Sequence, residues 1–234
     1  MEKTVYIEGL GDVVLRRSPR AQRNILRVKD RRVFATMPLY GTEKDMIAFI
    51  RRMHGKLLRL LDAAPERRSL NEDSTLQTLT FRLHIFRTPR ANFYTTLKDD
   101  VLHIACPDGT DFEDERVQQL LRQMLKKALR HEACRILPAR IEALAERHGF
   151  HYADVKIRDT KTRWGSCSSR KNISLSLSLL LLPEHLIDYV LLHELCHTVE
   201  MNHGKRFLQL LERVTDNRSQ ILRRELKAFR PYVE

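Results

Sequence analysis

Apolar and polar positions alternate with a period of two over four short runs at the start of the chain, residues 5–7, 12–17, 24–29 and 33–37. That period sends successive side chains to opposite faces, so each run is expected to be a half-buried strand. Gly9 and Gly11 punctuate the first turn, and Asp30 and Arg31 mark a later one. The period then changes to that of a helix. Thr42 is placed to cap it, and Met46, Ile47, Ile50, Met53, Leu57, Leu58 and Leu61 recur at helical spacing up to Pro65. The polar stretch 65–74 reads as a loop. A second β segment is expected over 79–86, 93–97 and 101–106, with a hairpin turn at Lys98, Asp99 and Asp100.

A long helical stretch follows over 113–147. One face carries Val117, Leu120, Leu121, Met124, Leu125, Ala128 and Leu129, Pro138 either kinks the helix or starts a new one, and Gly149 is a C-terminal stop. Next come a short strand at 154–158 and a hairpin of 162–167 with 172–177. Pro183 opens a helix running to about residue 201, and two closing helices span 205–214 and 218–229. Strands and helices come in separate runs, not in βαβ alternation, so the expected class is α+β. The natural division is a β-rich N-terminal subdomain with one helix, 1–111, and a second subdomain, 112–234.

Composition narrows the class. The 234 residues are 42% hydrophobic and 31% charged, the balance of a soluble globular protein and not of a disordered one. Four cysteines, Cys106, Cys134, Cys167 and Cys196, show no paired spacing. They read as reduced thiols, and a cytoplasmic location is expected. No membrane partner is expected either: the longest apolar stretch, 173–183, is too short to span a bilayer and is broken by Ser174, Ser176 and Ser178.

The net charge is +12. Both halves carry +6, but between residues 16 and 32 eight basic residues face only Asp30, a net of +7. A solvated face with basic strand edges accounts for such a run. A polyanion patch for a nucleotide or nucleic acid, with Arg16, Arg17, Arg20 and Arg23 at its start, accounts for it as well.

The chemistry sits elsewhere. His193-Glu194-Leu195-Cys196-His197 is an HExxH sequence. On a helix His193 and His197 stand one turn apart on one face and can share a Zn2+ ion at about 2.0–2.1 Å. Glu194 is rotated by about 100° from His193, free to take a proton from a water on the metal. A catalytic zinc needs a third protein ligand. His203, flanked by the turn-forming Asn202 and Gly204, is one candidate, and Glu200 is the other if the helix continues. Upstream, Arg163, Trp164, Gly165, Ser166 and Cys167 lead into the strand before the metal helix. Gly165 allows a close backbone approach, Trp164 reads as a core anchor, and the strand region can offer backbone groups to an extended peptide. Cys196 points to another side of the helix and reads as a buried apolar residue, and the other seven histidines show no ligand spacing.

Taken together, residues 163–167, 172–175, 187–197, 202–204, Arg206 and Phe207 resemble the YgjP-like family of zinc metallopeptidases, which is related to the SprT-like group. The match covers about fifty residues, 163–212, and the basic β-rich start resembles the family more loosely. The resemblance implies a zincin-like catalytic part with a small sheet and an active-site helix. It implies zinc held by His193, His197 and His203, Glu194 as general base and acid, and Arg163, Trp164, Gly165 and Cys167 as support. Two positions depart from the family pattern: Gly204 stands where many members have Ser, and Leu208 where they have Trp. Glu200 occupies the place where a metzincin would carry Gly. The expected activity is a zinc-dependent hydrolase acting on a peptide or protein. The alternatives are hydrolysis of a nucleoside triphosphate phosphoanhydride, or a hydrolase recruited to nucleic acid through the basic patch.

Overall fold

The computed structural model describes residues 2–29, 31–63, 69–160 and 162–229. Pro65 and the first part of the expected 65–74 loop lie outside them, as does Asp30 of the expected turn. The chain divides into two compact units, 1–68 and 69–234.

The first unit is a four-stranded sheet in the order β1-β2-β4-β3, built from β1 (Glu2–Ile7), β2 (Gly11–Arg17), β3 (Ile25–Lys29) and β4 (Arg32–Met37). Gly9 and Gly11 both take positive φ in the β1–β2 turn, which a side chain would disfavour. Period two decides the faces. Val13, Leu15, Val33, Ala35 and Met37 are buried on one side, where they pack with Met46, Ile50 and Leu57. Those three come from two helices where one was expected, α1 (Glu43–Arg52) and α2 (His54–Ala63). Thr42 does cap the first, its side chain accepting from the Asp45 N–H. The break falls at Met53, whose N–H reaches back to the carbonyls of both Phe49 and Ile50. Just beyond it His54 Nε2 lies 3.0 Å from the Glu8 carbonyl oxygen.

The second unit begins with a three-stranded sheet, β5 (Arg82–Thr88), β6 (Tyr94–Lys98) and β7 (Val101–Pro107), in the order β5-β7-β6. Asp99 and Asp100 at positive φ make the hairpin turn. The division expected at 111/112 and the observed one at 68/69 differ because this sheet buries Leu83, Ile85, Leu102 and Ile104 in one cluster with α3 (Glu115–His148). That helix is a single element with Pro138 inside it, capped by Asp114 and ended by Gly149 in the left-handed region. Its buried stripe repeats every four residues: Leu121, Leu125, Leu129, Ala133, Leu137, Ile141 and Ala145. Each of its leucines contributes roughly 1.5–3 kcal/mol by burial.

A second three-stranded sheet, in the order β8-β10-β9, holds β8 (Asp154–Arg158), β9 (Gly165–Cys167) and β10 (Asn172–Ser176). A 3-10 turn, Leu177–Leu181, leads to α4 (Glu184–Cys196), and α5 (Lys205–Val214) and α6 (Ser219–Ala228) close the chain. The architecture is α+β. No helix among the described residues is long and apolar enough to cross a membrane.

Candidate metal centre

Helix α4 is apolar nearly all round. Leu186, Ile187, Tyr189, Val190, Leu191, Leu192, Leu195 and Cys196 are buried, so the helix has no solvated face on which to roll. Its last turn carries His193 and Glu194, and His197 is the capping residue. Arg140 of α3 anchors the opposite end, reaching both Asp188 oxygens and Glu184 of α4.

The helix stops earlier than the sequence suggests. The N–H groups of Thr198 and Val199 bond three residues back, to the Leu195 and Cys196 carbonyls, and the Thr198 hydroxyl also donates to the Leu195 carbonyl. That tightening turns the chain and returns His203 to the helix end. One ligand atom each from His193, His197 and His203 lies within 4.8 Å of the others, and among the described residues this is the one such cluster of three or more. Glu200 stands outside it, because the helix that would have aimed its carboxylate has ended. Its carbonyl instead lies 3.2 Å from His197 Nδ1, which directs the other ring nitrogen of His197 towards its neighbours.

The donor set fits a divalent cation. The Nε2 atoms of His193 and His203 are 3.2 Å apart. The edge of a tetrahedron with metal–nitrogen bonds of about 2.0–2.1 Å is about 3.3 Å. Burial, then the neighbouring His197 and His203, push the His193 pKa down to about 4, and burial lowers that of His197 too. Both of these rings are therefore biased to the neutral form, the one that ligates. Phe207 of α5 floors the cluster. It is 1% exposed, stacks on His197 at 4.5 Å between centroids and meets His193 and His203 edge-on at 5.0 and 4.7 Å.

Glu194 is 5% exposed, and its Oε2 has no hydrogen-bond partner. Burial raises its pKa to about 7, against the opposing charge of Arg163. Gly165 explains how the carboxylate fits. A Cβ there would lie 2.7 Å from both Cγ and Oε1 of Glu194, so the requirement on this glycine is space.

The remaining sequence-predicted residues divide. Trp164 is partly buried against the core and meets Phe229 edge-on at 6.3 Å. Cys167 is half-buried, its thiol pKa raised by burial and by Glu194. A side chain at Gly204 would meet nothing within 4 Å, and Leu208 is exposed. Asn172–Ser176 is the central strand, so the free edge beside the site belongs to β9. The four candidate patch residues do not share one surface. Arg16 and Arg17 point to opposite faces of β2, and Arg17 is spent on the carbonyls of Leu39 and Gly41. Arg20 is exposed in the turn after β2, while Arg23 lines a shallow hollow with Asp45, Phe49 and Arg52. The sequence reading missed Phe207 as the floor of the triad. Besides its part in the family resemblance, its signal is a place four residues after His203, one helical turn inside α5.

The family model described as YgjP-like, metallopeptidase domain, matches residues 22–229. A search of the curated proteins finds no match. Among solved structures, the metallopeptidase zymogen of Pyrococcus abyssi abylysin is similar at 24% identity over 36% of this chain and 90% of that chain, with a TM-score of 0.30. A likeness that loose carries no argument.

Proposed function

We propose that this chain, which belongs to the YgjP-like metallopeptidase family, is a zinc-dependent peptidase with a zincin-like catalytic part. His193, His197 and His203 would hold the metal, and Glu194 would be the general base and acid. The observation that carries the reading is a buried carboxylate with an unpartnered oxygen, next in the chain to one of three converging imidazoles. A zinc ion bound there supplies a Lewis acid and brings the pKa of a water towards 7. Glu194 Oε2, with no protein partner to satisfy it, takes the proton of the attacking water and returns it to the leaving amine. Its pKa near 7 suits both steps, and a nearby cation draws it lower. Among the described residues Arg163 is the one cation felt by Glu194, a sparse charge for a phosphorylated substrate and an adequate one for a peptide carbonyl. The free edge of β9 offers backbone groups for an extended chain to pair with. Four free thiols suit a reducing, cytoplasmic setting.

The test is Glu194→Gln, assayed on labelled casein and, in the same panel, on nucleoside triphosphates with released phosphate measured. The variant is expected to keep one zinc per chain by elemental analysis and to lose peptide hydrolysis. Full activity in the variant, or turnover confined to the nucleotides, overturns the proposal.

A further inference from the structure

The first unit carries sixteen basic residues against eight acidic ones over 1–68, so +8 of the whole +12 lies there. Among the described residues its sheet has helices on one face only. Met46, Ile50 and Leu57 cover the side that bears Val13 and Val33, and the strand period turns Val14, Arg16, Arg27, Arg32 and Phe34 to the other. On that face the register puts Arg27 of β3 directly opposite Phe34 of β4. Arg32 lies two residues before Phe34 on the same strand, and the Arg16 guanidinium stands 5.6 Å from the Phe34 ring centroid. Phe34 is partly exposed, and Arg27 and Arg32 are exposed. Tyr6 of β1 belongs to the same face and is 73% exposed. It is separated from Phe34 by the one intervening strand β2, at about 10–12 Å from the usual strand spacing.

We propose that this open sheet face of the first unit binds single-stranded nucleic acid. Phe34 and Tyr6 would stack bases, and Arg27 and Arg32 would hold phosphates. The chemistry is that of a stacking platform beside fixed positive charge: flat rings accept any base, and the arginines follow the backbone. The Arg16 guanidinium, paired with Glu2 at 3.0 Å, lies over the Phe34 ring and adds its own flat surface to the platform. A duplex hides its base faces, so an aromatic sheet reads an unpaired strand. A bare polyanion surface would need no exposed rings at all.

The experiment is fluorescence polarisation of the full-length, metal-loaded protein with 5′-labelled U12, dT12 and a 12-base-pair duplex, each from 50 to 200 mM NaCl. The single strands are expected to bind more tightly than the duplex. Tyr6→Ala and Phe34→Ala are each expected to weaken that binding by about tenfold with the salt slope unchanged. Arg27→Ala with Arg32→Ala should lower the slope of log K against log salt by about 1.4. Preference between U12 and dT12 separates RNA from DNA as the natural strand. Tyr6 is so exposed that its loss leaves the fold intact, which keeps the test informative if Phe34→Ala unfolds. Binding of the duplex as tight as that of the single strands, parental affinity in Tyr6→Ala, or no binding at 50 mM salt overturns the proposal.

Discussion

Replacing Gly165 by Ala tests how the candidate base is held. The added Cβ would lie 2.7 Å from Cγ and Oε1 of Glu194 and 2.9 Å from Cδ. Non-bonded carbons rest at about 3.5–4.0 Å, so the carboxylate must retreat by about 1 Å. It cannot do so freely, because Glu194 is 5% exposed on a helix buried on nearly every side. A 1 Å misplacement of a reacting group costs about 100-fold, so kcat on labelled casein should fall by about that factor. Metal content should stay at one per chain, since none of the three histidines is touched. Gly109→Ala is the control, as a Cβ there meets nothing within 4 Å. The double variant Gly165→Ala, Glu194→Gln separates the mechanism from general damage. If Gly165 acts through Glu194, the double is no worse than Glu194→Gln alone. Near-parental kcat in Gly165→Ala, or a further loss in the double, would falsify the reasoning.

Other consequences are as direct. His203→Ala should lose most of the bound metal by elemental analysis, whereas Glu200→Gln should keep it, because only the Glu200 carbonyl is engaged. Equal metal loss in both would return Glu200 to the ligand set. Phe207→Ala removes a 1% exposed ring and should cost about 3–5 kcal/mol in urea unfolding. It should weaken metal binding too, while Phe207→Leu keeps most of both. A Phe207→Ala protein of parental stability would contradict the packing described. Glu132 is buried on α3 with its pKa lowered, first by the hydrogen bond from Arg135. A carboxyl lowered on folding stabilises the protein above its unfolded pKa, near 4.3, and that stability is lost as pH falls through the folded value. Thermal melts of Glu132→Gln from pH 7 to pH 3 should therefore show a shallower acid limb. An unchanged limb rules the ion pair out as its source.

Local pattern carried well as far as faces and caps are concerned. The first four strands, the Thr42 cap, the Asp99-Asp100 turn and the Gly149 stop follow from side-chain period and backbone sterics, which act within a few residues. The partner of a face is another matter. The strands over 82–107 look alike whether they join the N-terminal sheet or α3, and only the shared cluster of Leu83, Ile104 and Leu125 decides it. For the same reason the alternation of Asn172–Ser176 could not say that this strand is central, flanked by β8 and β9. Helix ends are the second gap. Helical spacing persists through Glu200, but the Thr198 hydroxyl competes for the Leu195 carbonyl and the helix stops. The cluster of three histidines was legible because two of them share one helical turn and the third follows a turn signal. Phe207 was not, because an aromatic inside an amphipathic helix looks the same whether it fills a core or floors a metal cluster.

The placement of Glu194 is costly, and the cost helps to say what the rest of the site is for. A buried carboxylate with a free oxygen destabilises the fold, and its raised pKa records that cost. Among the described residues Arg163 relieves it only in part, from an exposed position, and Gly165 presents no side chain at all. The surroundings instead remove alternatives. The buried faces of α4 fix the helix rotation, and Arg140 clamps its first turns through Asp188 and Glu184. The β9 backbone closes the space that the carboxylate would otherwise swing into. A residue kept merely for packing would sit better as a neutral isostere in this position. Retaining the charge makes sense where a cation and a water complete the set. The three converging nitrogens form a donor set that would hold the first of these.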